Sequence, residues 1–240
     1  MALPLSGNQL KNLTIRLRDG KETPDDLHAL EDVLLYYQRV LADAHVDIER
    51  LCAAMPRAEP MAPRVKTLKT TLEKLNRQPE LRSLAQIRDL AGLRVVVHGT
   101  RADQDDLARQ IAELFQDDQR PVKHIDRRVD PRAGYRAVHL EARRDGILIE
   151  IQIRTELQHR WAELSERAAD KLGRGLRYGE PVAGIIVNTR VTDLLIAVLQ
   201  TEANMIDALE QLPEIGSNNM LELMERKSLD RFVRLLEELP

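Results

Sequence analysis

The segment Ile147–Thr155, ILIEIQIRT, alternates so strictly that it sorts into two faces with different jobs. Ile147, Ile149, Ile151 and Ile153 fall on one side and Leu148, Glu150, Gln152 and Arg154 on the other. That is the period of a strand with one face in a core and the other toward something polar. Asp145-Gly146, just before it, is a favoured two-residue hairpin turn and pairs this strand with the one preceding it. On a rigid strand, an acid, an amide and a guanidinium set two residues apart hold their positions within the tolerance a catalytic site needs. An ordinary solvated strand face gives the same alternation, because antiparallel sheets often expose one side.

Helices and further strands surround this hairpin. Ser6 precedes a basic amphipathic stretch that runs to Arg18 and is broken by Asp19-Gly20. Thr23-Pro24-Asp25-Asp26 opens a longer helix, with Leu27, Leu30, Val33, Leu34, Val40, Leu41, Val46 and Ile48 at helical spacing through Ala54, and Pro56–Pro63 ends it. Arg64–Arg77 reads as helix, Asp89–Gly99 contains a buried strand in Val95-Val96-Val97, and helical periodicity returns over Ala102–Phe115. Strands follow near Val122–Arg128, Arg136–Ala142 and Ile147–Arg154. A helix over Glu156–Leu172 is closed by Gly173 and Gly175, and two more span Val191–Leu212 and Met220–Leu239. The expected fold is α+β, a mixed, largely antiparallel sheet of about five strands flanked by helices, with N- and C-terminal helical extensions.

Composition narrows the function classes. At 240 residues and 43% hydrophobic content the chain can bury a real core, and a net charge of −3 demands neither a nucleic-acid nor a membrane partner. Cys52 is the single cysteine, which rules out an intramolecular disulfide and argues against a cysteine-rich zinc site. With no leader pattern in MALPLSGNQLKNL and no apolar run of membrane-spanning length, the expectation is a soluble cytoplasmic protein.

Several residues could do chemistry. In a helix that includes Arg64–Arg77, Lys66, Thr70, Lys74 and Arg77 fall within roughly a quarter turn, while Leu68, Leu72 and Leu75 point away. Such a cationic stripe suits nucleotide phosphates, although solvated lysine faces are common. Asp89 adjoins an otherwise apolar strand and Glu150 lies inside another; two such acids suffice for Mg²⁺, which takes its remaining ligands from phosphate and water. Tyr135 and His139, in GYRAVH, share a face, and a tyrosine ring there is either a platform for a flat base or a core side chain. No GxxxxGK[ST] loop occurs, so any ATP is held by side chains on helices and strands.

Taken in order, RVKTLKTTLEKLNR, RDLAGLRVVV, GYRAVH, IEIQIRT and QHRWAELSERAAD resemble the synthetase domain of the RelA/SpoT-type alarmone synthetase family, over roughly Arg64 to Leu172. The resemblance implies transfer of the β,γ-pyrophosphate of ATP, with Mg²⁺ as cofactor, to a ribose 3′-hydroxyl of GDP or GTP, releasing AMP. It implies that Arg64, Lys66, Thr70 and Lys74 hold the donor phosphates, with Arg77 beside them. Asp89 and Glu150 would place the metal, and Glu150 would activate the attacking hydroxyl. Tyr135 would stack on the acceptor base, with Arg136, His139, Gln152 and Arg154 lining the acceptor side. The implied division is an N-terminal helical segment 1–60, a synthetase core 61–175 and a C-terminal helical extension 176–240.

Two departures bear on the partner. The family's basic loop before the tyrosine, often PK followed by NGY, is replaced by Asp130-Pro131-Arg132-Ala133-Gly134, with Arg132 in place of the lysine. Nothing upstream resembles the family's histidine–aspartate hydrolase motif, so a small stand-alone synthetase without its own hydrolase is expected. Three alternatives stay open: a toxic member that pyrophosphorylates the tRNA 3′ CCA end and has an antitoxin partner, an enzyme using adenosine nucleotides, or a decayed helical assembly module. A tRNA acceptor would draw on Lys123, Arg127, Arg128, Arg132, Arg143 and Arg144 for its backbone. The apolar run Leu194–Leu199 fits either a homo-oligomer contact or the domain core.

Overall fold

The computed structural model describes residues 3–55, 57–116, 120–173, 175–176, 189–212, 227–230 and 234. Five strands, β1 (Ala58–Val65), β2 (Ala91–Val97), β3 (Lys123–Asp126), β4 (Val138–Arg144) and β5 (Ile147–Thr155), form one largely antiparallel sheet in the order β1-β2-β5-β4-β3. Six α-helices accompany it among the described residues: α1 (Gly7–Arg18), α2 (Pro24–Ala53), α3 (Leu68–Arg77), α4 (Arg101–Leu114), α5 (Glu156–Leu172) and α6 (Thr189–Gln211). The alternating segment Ile147–Thr155 is therefore the middle strand. Its isoleucines are at most 1% exposed, yet its polar face is not solvated either, since Leu148 is 9% and Arg154 2% exposed. An ordinary wet strand face is ruled out by that burial.

The described residues fall into two compact units. The first comprises Met1–Val95, Leu107–Ile125 and His139–Gln152. Its helices begin where the sequence supplies caps: the Ser6 hydroxyl accepts from Gln9 N, and that of Thr23 from Asp26 N, each with a reciprocal side-chain bond. Leu30, Val33, Leu41, Ala44 and Ile48 of α2 are fully buried. The Tyr36 hydroxyl donates to Asp145 O (2.9 Å), and Asp47 pairs with Arg144 (2.6 Å), so α2 fastens the tip of the β4–β5 hairpin. That tip has Asp145 at φ 48° and Gly146 at φ 81°, the two positive angles of the turn expected there.

The structure departs from the sequence pattern at two places. Ala58–Val65 is a strand, not merely the end of a helix; Pro60 and Pro63 hid it, and they are tolerated because β1 lies at the edge of the sheet. The following helix starts at Leu68, capped by Thr67, so Arg64 belongs to β1 and Lys66 to the connector. Lys66 therefore does not share a helical stripe with Thr70, Lys74 and Arg77.

The second unit comprises Val96–Asp106, Asp126–Val138 and Ile153–Pro240. Thr155 ends β5 and caps α5 through a box with Gln158, which fixes the helix start where the sequence places it. Gly173 at φ 118° follows its last turn. Helices α5 and α6 share a core in which Leu157, Trp161, Leu164 and Ala168 meet Leu199, Ala203 and Ile206. The apolar run Leu194–Leu199 is thus divided, with Leu199 buried and Leu194 65% exposed. Most of the expected helix Met220–Leu239 lies outside the described residues, of which 227–230 and 234 are helical.

Candidate active site

In the first unit a lysine–aspartate cluster forms where β1 passes into α3. Lys66 N donates to Leu90 O (2.9 Å), which lays the connector beside the turn carrying Asp89. Lys66 Nζ then lies 3.1 Å from Asp89 Oδ2, and Lys74 Nζ, one turn from the end of α3, lies 3.6 Å from Oδ1. Two ammonium groups on one carboxylate leave a surplus positive charge, with Lys66 and Lys74 only 19% and 23% exposed. That surplus is what a polyphosphate neutralises. Asp89 Oδ1 is itself screened from solvent and has no hydrogen-bond partner, an open lone pair beside a cation.

A second cluster sits on the β4–β5 hairpin. His139 Nδ1 is 3.0 Å from Glu150 Oε1, and Gln152 Nε2 donates to Glu150 Oε2 at 3.0 Å, so both carboxylate oxygens are held. The Glu150 side chain is 16% exposed and that of His139 12%. With Glu150 ionised, His139 Nδ1 is the donor and its Nε2 is left as the acceptor. Gly92 of β2 links the backbone of the two regions: a Cβ placed there would lie 3.8 Å from both Arg64 O and Glu150 O. Strands β1, β2 and β5 therefore bring Arg64, the segment after Asp89, and Glu150 into neighbouring rows.

The remaining donor-side candidates are less engaged. Arg64 is exposed on β1. Arg77 is also exposed and donates from Nε to Glu73 O (3.2 Å), while the Thr70 hydroxyl donates to Thr67 O (3.1 Å).

The second unit holds the other acceptor-side candidates. Arg132–Tyr135 is a tight turn closed by Tyr135 N donating to Arg132 O (2.9 Å), with Ala133 at φ 50° and Gly134 at φ 88°. Arg132 is exposed at its start. Arg154, almost fully buried, donates from Nη2 to the Tyr135 hydroxyl (3.0 Å), and its guanidinium lies 5.0 Å from the ring centroid. The ring is half-buried and packs on the α5–α6 core, so Tyr135 is both a structural residue and a partly open aromatic face. Arg136 is 7% exposed and is turned into protein, donating from Nη1 to Ala203 O (3.1 Å) and from Nη2 to Asn204 Oδ1 (3.1 Å).

Sequence reasoning missed two sets of contacts. Beside the acceptor-side place expected for it, the His139 ring meets Glu150. Also passed over were Asn204, Asp207 and Glu210, whose spacing of three residues beside the buried stripe Leu199, Ala203 and Ile206 marks a second, polar stripe on α6.

Comparison with known proteins agrees with this architecture. A family profile described as a region found in RelA/SpoT proteins matches residues 63–171. Uncharacterized proteins from Mycobacterium bovis and Mycobacterium tuberculosis are 37% identical over 206 residues, covering 84% of this chain and 74% of theirs. The structure of small alarmone synthetase 1 from Bacillus subtilis bound to its product pppGpp superposes with a TM-score of 0.57 at 22% identity, covering 75% of this chain and 93% of that one. A GTP pyrophosphokinase family protein from Streptococcus pneumoniae gives a TM-score of 0.56 at 19% identity, covering 88% and 98%. The fold is the one these synthetase structures share. The chain belongs to the RelA/SpoT family.

Proposed function

We propose that the chain transfers the β,γ-pyrophosphate of ATP to the 3′-hydroxyl of GDP or GTP, forming (p)ppGpp and releasing AMP. The observation that carries this reading is the pairing of Lys66 and Lys74 on Asp89, in the same unit as a doubly held Glu150. In the reaction the 3′-oxygen bonds to the β-phosphorus, the bond from that phosphorus to the α-phosphate oxygen breaks, and the hydroxyl proton must leave. Lys66 and Lys74 bind the donor phosphates and stabilise the charge that shifts between them. Glu150 receives the proton or aligns the hydroxyl, and His139 and Gln152 keep its two oxygens in place.

Among the described residues, groups of three or more His, Cys, Asp or Glu that could hold a metal ion are absent. That fits Mg²⁺ arriving with the triphosphate, since it needs only one or two protein carboxylates. Asp89, whose Oδ1 accepts no hydrogen bond although Lys74 lies 3.6 Å away, would be one such ligand, and Glu150 the second residue to hold the ion. When bound, Mg²⁺ would supply charge neutralisation at the phosphates. Tyr135 would present its ring to the acceptor base, and 61–175 would serve as the synthetase core.

A guanosine nucleotide is favoured over tRNA as acceptor because much of the basic side-chain set is already paired. Arg128 meets Asp105 (2.6 Å) and Asp126 (2.7 Å), Arg144 meets Asp47 (2.6 Å) and Arg127 meets Asp130 (2.9 Å). The test is incubation with γ-labelled ATP and Mg²⁺ in the presence of GDP, GTP, ATP or deacylated tRNA. Label is expected in a 3′-pyrophosphorylated guanosine nucleotide, with matching AMP. Label in tRNA or an adenosine nucleotide would reassign the acceptor, and no transfer to any of the four would defeat the proposal.

A further inference from the structure

Helix α6 lies outside the stretch matched by the family profile, yet the turn carrying Tyr135 is built against it. A Cβ on Gly134 would come within 2.9 Å of Trp161 Cζ2 and 3.0 Å of Ala203 Cβ, so this residue is wedged between α5 and α6 with no room for a side chain. The next residue but one secures the contact. The Arg136 guanidinium bonds to Gly134 O (3.2 Å) within the turn, and to Ala203 O and Asn204 Oδ1 on α6. Its Nε lies 3.1 Å from Asp207 Oδ1, an ion pair outside hydrogen-bond geometry. Asp207 is held in turn by Arg101 from the start of α4, and Arg101 Nε also reaches Glu210 (3.1 Å). Glu210 continues the network, accepting from the Thr155 hydroxyl and from Gln158 Nε2 (2.8 Å) at the junction that follows Arg154.

These contacts cost something to build. Asp207 and Glu210 are 22% and 8% exposed in their side chains and Arg136 is 8%, so the pairs are partly or wholly withdrawn from water. Buried ion pairs of this kind add little net stability and are better understood as fixing one arrangement. What they fix here is the residue on either side of Tyr135.

We propose that α6 is the element that positions the acceptor-binding turn, and that Asp207 is its positioning residue, acting on Tyr135 through Arg136. The inference rests on the reading of Tyr135 as the acceptor-base platform. Arg136 is then a strut between turn and helix, not a ligand of the nucleotide. Acceptor affinity becomes a property of a helix beyond the sequence motifs, so family members with the same GYR segment and a different C-terminal helix would differ in acceptor preference.

The protein carries its own reporter of helix docking. Trp161 is the only tryptophan, is 4% exposed, and donates from Nε1 to Leu199 O of α6 (2.8 Å). The test uses the full chain, comparing wild type with Asp207→Asn and Asp207→Glu. With Asp207→Asn the acceptor KM should rise about tenfold or more while the KM for ATP and the Trp161 emission maximum stay near wild type. Asp207→Glu should recover part of the acceptor affinity. Unchanged acceptor KM would overturn the proposal. So would a parallel rise in both KM values with red-shifted Trp161 emission, which would mean that the helix has merely come loose. If the wild type transfers pyrophosphate to no acceptor, the functional reading has failed, and amide hydrogen exchange over 132–138 decides the positioning claim: faster exchange in Asp207→Asn with unshifted emission upholds it, and unchanged exchange removes it.

Discussion

Replacing Glu150 by Gln separates chemistry from folding at the proposed site. Glu150 accepts from Gln152 at Oε2 and meets His139 Nδ1 at Oε1, each at 3.0 Å. A Gln side chain can keep its carbonyl oxygen on the Gln152 amide and turn its NH₂ toward His139, provided the imidazole moves its proton to Nε2 and accepts at Nδ1. Both contacts survive in neutral form, so the expected stability change is within about 1 kcal/mol, the scale of a single hydrogen bond. The carboxylate's proton affinity does not survive. A general base is worth about 10²–10⁴ in rate, or about 3–5.5 kcal/mol of barrier, and Glu150→Gln should lower kcat by that factor. Thermal denaturation by circular dichroism, alongside initial rates of AMP formation at saturating ATP and acceptor, measures both quantities. A kcat within about tenfold of wild type would refute the base assignment. A fall in Tm of more than about 4 °C would refute the claim that the hydrogen bonds are preserved.

Three further outcomes are expected. Lys66→Met or Lys74→Met should each reduce kcat/KM for ATP about a hundredfold, with little effect on acceptor KM at saturating ATP, because they remove a phosphate-neutralising charge; steady-state kinetics with both substrates varied would expose a failure as equal losses on the two sides. Ala133→Asn should stabilise by about 0.5–1 kcal/mol, since φ 50° costs an alanine about 1–2 kcal/mol and asparagine less, while Gly134→Ala should destabilise by about 2–5 kcal/mol through its angle and the crowding by Trp161 and Ala203; urea melts that rank the two the other way would contradict the turn geometry. Arg16 beside Asp26 holds that carboxyl well below the usual carboxylate range, with help from Thr23 N. Its stabilising contribution is therefore complete above the unfolded pKa of about 4 and fades as pH falls below it, so the Tm deficit of Asp26→Asn should be full at neutral pH and shrink in acid.

Where local chemistry is self-sufficient, the sequence was a good guide. Thr155 and Gln158 are both present to start α5, Asp145-Gly146 turns the hairpin, and the isoleucine alternation of β5 survives as a buried row. Where partners come from far along the chain, it was not. Pro60 and Pro63 make β1 look like punctuation, and only its edge position explains why a strand tolerates them. Lys66 is in phase with Lys74 on a helix it does not belong to; the two meet because both reach for Asp89. Arg136 reads as a ligand beside an aromatic platform, and nothing near it in sequence announces Asp207, 71 positions later, whose Oδ1 lies 3.1 Å from its Nε.

The prolines of β1 also govern how molecules of this protein meet one another. An outermost strand normally offers a row of amide hydrogens to which a foreign chain can attach, and with Pro60 and Pro63 three positions apart one of the two missing donors falls in that open row. This flank of the sheet is a poor template for fibrils and for strand-to-strand coupling between copies. Coupling of copies by strand pairing is accordingly left to the opposite edge, the four-residue β3.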